Sequence, residues 1–193
     1  PVEVSGSPPS TTVRLKTRPW VIQGFSLARP ADTKAIALYF PGGDGRGAGF
    51  GLGEELARHG VAVATMAPPT DRPGGFSPAG DRSAPDHVAD ADAAIRYLRR
   101  EIGRPVWVIG ISMGSVSVAN VALNSAAGVH GAVFLSSITD RPANGQRAFG
   151  ETLVTEFPLD RLKMPVLAVA SRRDRCRSDW LGTSVGPGRL HAR

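Results

Sequence analysis

Short apolar segments bounded by turn residues alternate along this 193-residue chain with segments of helical periodicity. This order is typical of a mostly parallel β-sheet flanked by helices, because parallel strands need a crossover connection that is usually helical. The apolar runs predict seven strands: Thr12–Leu15, Trp20–Leu27, Ala35–Phe40, Ala62–Met66, Val106–Ile111, Gly131–Leu135 and Pro165–Ala170. The link between the first two is too short for a helix, so we expect these two to pair antiparallel.

The best-marked helix is predicted from about Ser83 to Ile102. An apolar stripe at helical spacing indicates that it packs on the sheet, and its members are Val88, Ala91, Ile95, Leu98 and Ile102. Ser83 and Asp86 are spaced as in a capping box, and Gly103 supplies the stop. Asp90 and Asp92 are expected to lie near the positive end of the helix dipole, where negative charge is stabilising.

Two further helices are predicted. One carries Leu52 and Leu56 on one face and ends near Gly60, and the other follows Gly114. Two polar connections, Ala67–Gly80 and Thr139–Phe149, are candidates for the loops that shape a substrate pocket.

The sequence Gly110-Ile111-Ser112-Met113-Gly114 joins the fifth predicted strand to the helix that follows it. A G-x-S-x-G motif in this position predicts a strained turn with an exposed serine nucleophile, and its glycines let the backbone pass closely. The alternative is a loop serine in a nucleotide-binding crossover. A dinucleotide site would need an acidic residue about 20 residues on, and Asn120–Ala132 contains none, so we favour the nucleophile.

Three segments together resemble the α/β-hydrolase superfamily: Tyr39–Gly45 (YFPGGDG), Gly110–Gly114 (GISMG) and Pro165–Cys176 (PVLAVASRRDRC). The resemblance spans roughly Val13 to Cys176 and is closest to a poorly described bacterial group. It implies an α/β-hydrolase fold, a serine hydrolase with Ser112 as nucleophile, and no cofactor or metal.

The resemblance also implies an oxyanion hole. Its donors would be the backbone N–H groups of Gly43, with Asp44 as a possible addition, and of Met113, which follows the nucleophile. The alternative for Gly42–Gly49 is a flexible turn or a phosphate-binding loop. No Lys-Ser or Lys-Thr ends this segment, so it is not a P-loop.

The expected acid is Asp174, which follows the last predicted strand in the order Ser then acid that this fold uses. Asp140 is the fallback, and Asp174 could instead be a solvated partner of the neighbouring arginines. His191 is the candidate base because it alone among the histidines follows Asp174. The other three have structural interpretations: His59 precedes a helix stop, His87 lies in the first turn of a surface helix, and His130 is a solvated turn residue.

These residues predict hydrolysis of carboxylic esters or related acyl compounds through an acyl-serine intermediate. The alternative is a catalytically inactive α/β-hydrolase fold that serves as a binding or scaffold module. It is motivated by the lack of a histidine on a recognisable loop after a final strand. The partner would be a small acyl or ester substrate. The net charge of +6 resides mainly in Ser171–Arg193 and fits no nucleic-acid motif, so no nucleic-acid partner is expected.

The last part of the chain departs from the hydrolase pattern. Residues 1–176 are expected to form the α/β-hydrolase core and residues 177–193 an irregular basic tail, since Cys176–Leu190 has neither strand nor helix periodicity. We therefore expect the fold to lack its last strand and helix through truncation, with impaired activity. The single Cys176 excludes an internal disulfide. No membrane span is expected, and the sequence leaves compartment and oligomeric state open.

Overall fold

An eight-stranded mixed β-sheet forms the centre of the fold, with helices on both faces. The structure is a computed structural model and describes residues 2–7, 10–42, 51–67, 82–139 and 152–170. The strands are β1 (Val2–Ser7), β2 (Ser10–Arg18), β3 (Val21–Ala28), β4 (Ala35–Phe40), β5 (Val61–Met66), β6 (Val106–Ile111), β7 (Gly131–Leu135) and β8 (Val166–Val169). The helices are α1 (Leu52–Arg58), α2 (Pro85–Ile102) and α3 (Gly114–Asn124), with short 3-10 helices at Val154–Glu156 and Leu159–Arg161.

The strand order in the sheet is β1-β2-β3-β5-β4-β6-β7-β8. The first three strands pair antiparallel, and β3 joins β5 antiparallel. From β5 onward all pairs are parallel. β5 and β6 lie on opposite sides of β4. The connection from β4 to β5 therefore runs toward one edge of the sheet, and the connection from β5 to β6 runs toward the other. The carboxyl ends of β4 and β6 thus flank a topological switch point, where ligands of open α/β sheets bind.

Two apolar layers cover the sheet. On one face α2 and α3 pack on the strands through side chains that include Ile95, Leu98 and Val118, all fully buried. On the other face Leu52 and Leu56 of α1 pack against a smaller cluster that contains Tyr39 of β4. Helices on both faces explain why β4 reads as a continuous apolar run rather than an alternating one.

The predicted α/β class, a mostly parallel sheet flanked by helices, is confirmed, as is the antiparallel pairing of β2 and β3. All seven predicted strands form, and three have the predicted bounds. The eighth, β1, was not predicted: its apolar alternation covers only Val2 to Ser5, both valines are exposed, and the strand is held mainly by backbone pairing with β2. The predicted basic tail at 177–193 lies outside the described residues. The expected lack of a last strand and helix therefore stays a prediction.

The start of α2 differs from the prediction. No capping box forms: Ala84 is the N-cap in an extended conformation, Pro85 occupies the first turn, and no side chain caps the helix. The reason is steric, because a proline disfavours the helical conformation in the residue before it. Ser83 is thereby left outside the helix, where its Oγ accepts a hydrogen bond from Thr152 Oγ1 at 3.2 Å.

Two acidic residues of α2 connect elements instead of facing the solvent. Asp90 is fully buried, and its carboxylate accepts hydrogen bonds from Arg18 Nε at 2.8 Å and Nη2 at 3.1 Å. Asp92 accepts the backbone N–H groups of Ala126 and Ala127 at 3.0 and 3.3 Å. The predicted role of these two aspartates at the helix dipole is wrong, because both lie beyond the first turn of α2, in which Asp86 is the acidic residue.

Candidate active site

Ser112 lies in the turn between β6 and α3 with a left-handed backbone, at φ +51°. Such a conformation costs a residue with a Cβ about 1–3 kcal/mol and persists only where the surroundings enforce it. Among the described residues only Trp20 and Ser136 share it without being glycine. Ser136 follows β7, so two strained serines lie at the carboxyl ends of neighbouring parallel strands.

The two glycines of the motif are required by close backbone packing. A Cβ at Gly110 would lie 2.2 Å from the carbonyl oxygen of Gly114, and one at Gly114 would lie 2.0 Å from that of Phe40. Real Cβ atoms never approach backbone so closely. Because Gly110 and Gly114 have no Cβ atom, α3 can begin directly against β4 and β6. This contact imposes the tight turn on Ser112.

Hydrogen bonds hold the Ser112 backbone on both sides. Its N–H donates to the Leu135 carbonyl at 2.9 Å, which ties the turn to β7. Its carbonyl accepts the N–H of Ser115 at 2.9 Å and also the Ser115 hydroxyl. The Ser115 hydroxyl in turn accepts the N–H of Ile138 at 3.4 Å. The turn is therefore fixed by contacts with β7, α3 and Ile138 of the segment after β7, which hold Ser112 in place.

Met113 directly precedes α3 in a helical conformation, at φ −58° and ψ −26°. Its side chain is buried, and its N–H donates to no backbone carbonyl of the described residues. That N–H lies at the amino end of an eleven-residue helix, where the helix dipole favours negative charge. The Met113 N–H thus lies next to Ser112, at an end of α3 that favours negative charge.

Gly42 brings the end of β4 beside Ser112. The register pairs Phe40 with Gly110, so the residues that follow both strands run side by side. A Cβ built on Gly42 would lie 3.6 Å from the Ser112 Cβ. Gly43 and Asp44, the predicted oxyanion donors on this strand end, lie outside the described residues.

A buried polar cluster lies beneath this strand end. Arg82 is fully buried and donates from Nη1 to Ser117 Oγ at 3.0 Å and from Nη2 to the Gly42 carbonyl at 2.9 Å. Asn120 Nδ2 donates to the carbonyls of Arg82 and Ala84 at 2.9 and 3.2 Å. Burial lowers the pKa of Arg82 to about 10, so the guanidinium stays charged at neutral pH.

His87 belongs to this cluster and not to the surface, which corrects the prediction. It is fully buried, its ring stands edge-on to Phe40 at 5.2 Å, and neither ring nitrogen has a hydrogen-bond partner among the described residues. Burial, reinforced by the charge of Arg82, lowers its pKa to about 3. A signal was present in the sequence: His87, Ala91, Ala94 and Leu98 are spaced as one buried helix face.

The predicted acid and base are not among the residues described. Asp174, the fallback Asp140 and His191 all lie outside that part of the chain, as do most of the two predicted pocket loops. The remaining histidines have structural contacts. His59 pairs with Glu55 at 3.1 Å, and His130 Nδ1 lies 3.3 Å from Arg99 Nη2, both at exposed positions.

The part of the chain that the structure describes shows neither a metal-binding cluster nor a membrane-spanning helix. No group of three or more potential metal-ligating side chains occurs there. No helix in the same ranges is long and apolar enough to cross a bilayer.

Comparison with known proteins finds similarity in structure alone. No family model and no curated protein matches the sequence. A cold-adapted esterase from an Arctic intertidal metagenomic library superposes with a TM-score of 0.61 at 16% identity, covering 87% of this chain and 75% of that one. The esterase domain of a Rhodothermus marinus protein gives 0.60 at 20% identity, with 87% and 77% covered. An esterase of Pyrococcus furiosus gives 0.60 at 15% identity, with 90% and 77% covered. The chain therefore has the α/β-hydrolase fold.

Proposed function

We propose that this protein is a serine hydrolase that cleaves carboxylic esters or related acyl compounds through an acyl-serine intermediate. The observation that carries the proposal is Ser112, held at φ +51° at the switch point of the sheet with the Met113 N–H beside it. Strain in a non-glycine residue that its surroundings enforce points to function. The esterases that share the fold support the reaction class.

In this mechanism Ser112 Oγ attacks the ester carbonyl carbon and its proton passes to a general base. The oxyanion that forms accepts hydrogen bonds from the N–H groups of Met113 and Gly43. Collapse of the tetrahedral intermediate expels the alcohol, which takes the proton from the base. Water then attacks the acyl-serine with the same base assisting, and the carboxylic acid leaves.

The test is labelling by a fluorophosphonate probe, with mass spectrometry of the modified peptide. We expect one labelled residue, Ser112, and loss of label in Ser112→Ala. Ser136→Ala is the matched control because Ser136 is also a serine with positive φ, at the end of the neighbouring strand. A label that survives Ser112→Ala in folded protein would reject Ser112 as the nucleophile.

The base and acid are assigned by ester turnover in variants. We propose His191 as base and Asp174 as its orienting acid, so His191→Ala should reduce kcat to near background and Asp174→Asn should reduce it strongly. Asp140→Asn is the control, and its kcat should be close to the wild-type value. A strong fall in kcat for Asp140→Asn and none for Asp174→Asn would assign the acid to Asp140 instead. Turnover that depends on Ser112 and is unchanged by His191→Ala would reject His191.

A further inference from the structure

Arg82 is an unusual residue to bury in this position. Its side chain is fully buried, yet no carboxylate pairs with it among the described residues, and its Nε atom has no hydrogen-bond partner. Burying a charge without a counter-charge costs free energy, and an apolar side chain of similar volume avoids that cost. The contacts of Arg82 therefore call for an explanation other than stability.

Those contacts connect the two elements that meet at Ser112. One arm of the guanidinium reaches Ser117 on α3, one turn beyond the start of the helix, and the other reaches the carbonyl of Gly42 at the end of β4. The arginine backbone is itself held by Asn120 of α3. The planar guanidinium thus spans between α3 and the strand end with a fixed geometry.

Gly42 ends the part of the chain after β4 that the structure describes. The hydrogen bond from Arg82 to its carbonyl therefore restrains the backbone at this strand end. Gly42 itself adjoins Ser112, with a built Cβ only 3.6 Å from that of the serine.

We propose that Arg82 is a positioning residue, whose guanidinium holds the Gly42 carbonyl against α3 and thereby fixes the backbone at the end of β4 beside the reacting Ser112. This inference rests on the proposed function. In it, Arg82 never touches the substrate, and its hydrogen bond to the Gly42 carbonyl preorganises the backbone beside Ser112 before the reaction begins.

The test compares Arg82→Met with Arg99→Met. Arg99 is the matched control because its guanidinium also donates to backbone carbonyls, those of Ala127 and Gly128, at the far end of α2. For a short p-nitrophenyl ester, Arg82→Met should lower kcat about 10- to 100-fold with KM within about twofold. Arg99→Met should leave kcat near the wild-type value. Arg82→Lys, which can reach only one of the two acceptors, should recover part of the loss.

Ser117→Ala provides a gentler variant that keeps the arginine and removes one anchor of its guanidinium. We expect a smaller fall in kcat in the same direction. Two results would overturn the proposal: a wild-type kcat in folded Arg82→Met, or a loss of activity that follows the loss of thermal stability equally in the Arg82 and Arg99 variants.

A spectroscopic measurement separates this inference from the proposed function. The carbonyl carbon resonance of Gly42 responds to hydrogen bonding at that carbonyl and needs no substrate. It should move in Arg82→Met and Ser117→Ala and stay in place in Arg99→Met. If the wild-type protein hydrolyses no ester, the proposed function fails while this resonance still reports whether Arg82 holds the peptide. An unmoved resonance in Arg82→Met rejects the positioning role.

Discussion

His87 makes the folded protein sensitive to acid. The ordinary pKa of 6.5 applies to the unfolded chain, whereas burial and then the charge of Arg82 lower the folded value to about 3. Between these values the unfolded state binds a proton that the folded state does not, so the folded state loses stability as pH falls. We expect this residue alone to reduce the free energy of unfolding by about 1.4 kcal/mol per pH unit across that window.

The measurement is a series of urea melts between pH 7 and pH 4. His87→Leu, which has no proton to bind, should show a clearly flatter dependence of unfolding free energy on pH. His59→Gln is the control, because His59 is exposed and directly follows another helix, α1. Equal pH slopes in wild type and His87→Leu would contradict the burial of a neutral imidazole.

The residues of the candidate site differ in how readily they can be predicted from the sequence. Ser112 and Met113 follow from a five-residue motif whose glycines have a steric reason that is local to the chain. Arg82 and Asn120 leave no such signal, because the hydrogen bonds from Arg82 to Ser117 and from Asn120 to the Arg82 carbonyl span 35 and 38 residues of sequence. Periodicity detects which face of a helix is apolar, and it cannot identify a polar side chain that is satisfied from another element.

At the scale of elements, α2 depends on the buried stripe that its periodicity predicts. Leu98 is fully buried against the sheet. Leu98→Ala removes that apolar contact and leaves a cavity, so it should reduce the free energy of unfolding by about 2–5 kcal/mol. Leu167→Ala on β8 is the matched control, since Leu167 is 52% exposed and the same truncation there should cost far less. A urea-melt difference below about 0.5 kcal/mol for Leu98→Ala would show that this face is not buried.

The strands differ in predictability for a related reason. β4, β6 and β7 carry the bounds expected from the sequence because each is a continuous apolar run stopped by turn residues. β2 extends beyond its predicted segment at both ends, to Ser10 and Arg18. The added residues are mostly polar, and backbone pairing with β1 and β3 extends the strand over them. Pairing of this kind depends on a neighbour and leaves no trace in the strand's own pattern.

At the scale of the whole molecule, the antiparallel strands β1 to β3 must be joined to the parallel part that carries Ser112. Backbone pairing of β3 with β5 makes one connection. Apolar packing of β2 and β3 on α2 makes a second. A third is polar: Arg18 at the end of β2 binds the buried carboxylate of Asp90 on α2 with two hydrogen bonds and lies 3.3 Å from Asp86. The sequence separation of 72 residues explains why no local pattern predicts this pair.

Arg18→Met should destabilise the fold strongly, because it leaves the Asp90 carboxylate buried with its main partner removed. Breaking a buried ion pair from one side costs about 3–5 kcal/mol, whereas replacing both partners by apolar residues is often neutral. We therefore expect Arg18→Met to lose about that much in chemical denaturation, and Arg18→Met combined with Asp90→Leu to recover much of it. The matched control on the same strand is Arg14→Met, which removes an exposed 3.6 Å pair with Glu3 and should change stability by less than about 1 kcal/mol. If Arg18→Met and Arg14→Met lose similar amounts, the Arg18–Asp90 pair does not join the two parts of the sheet.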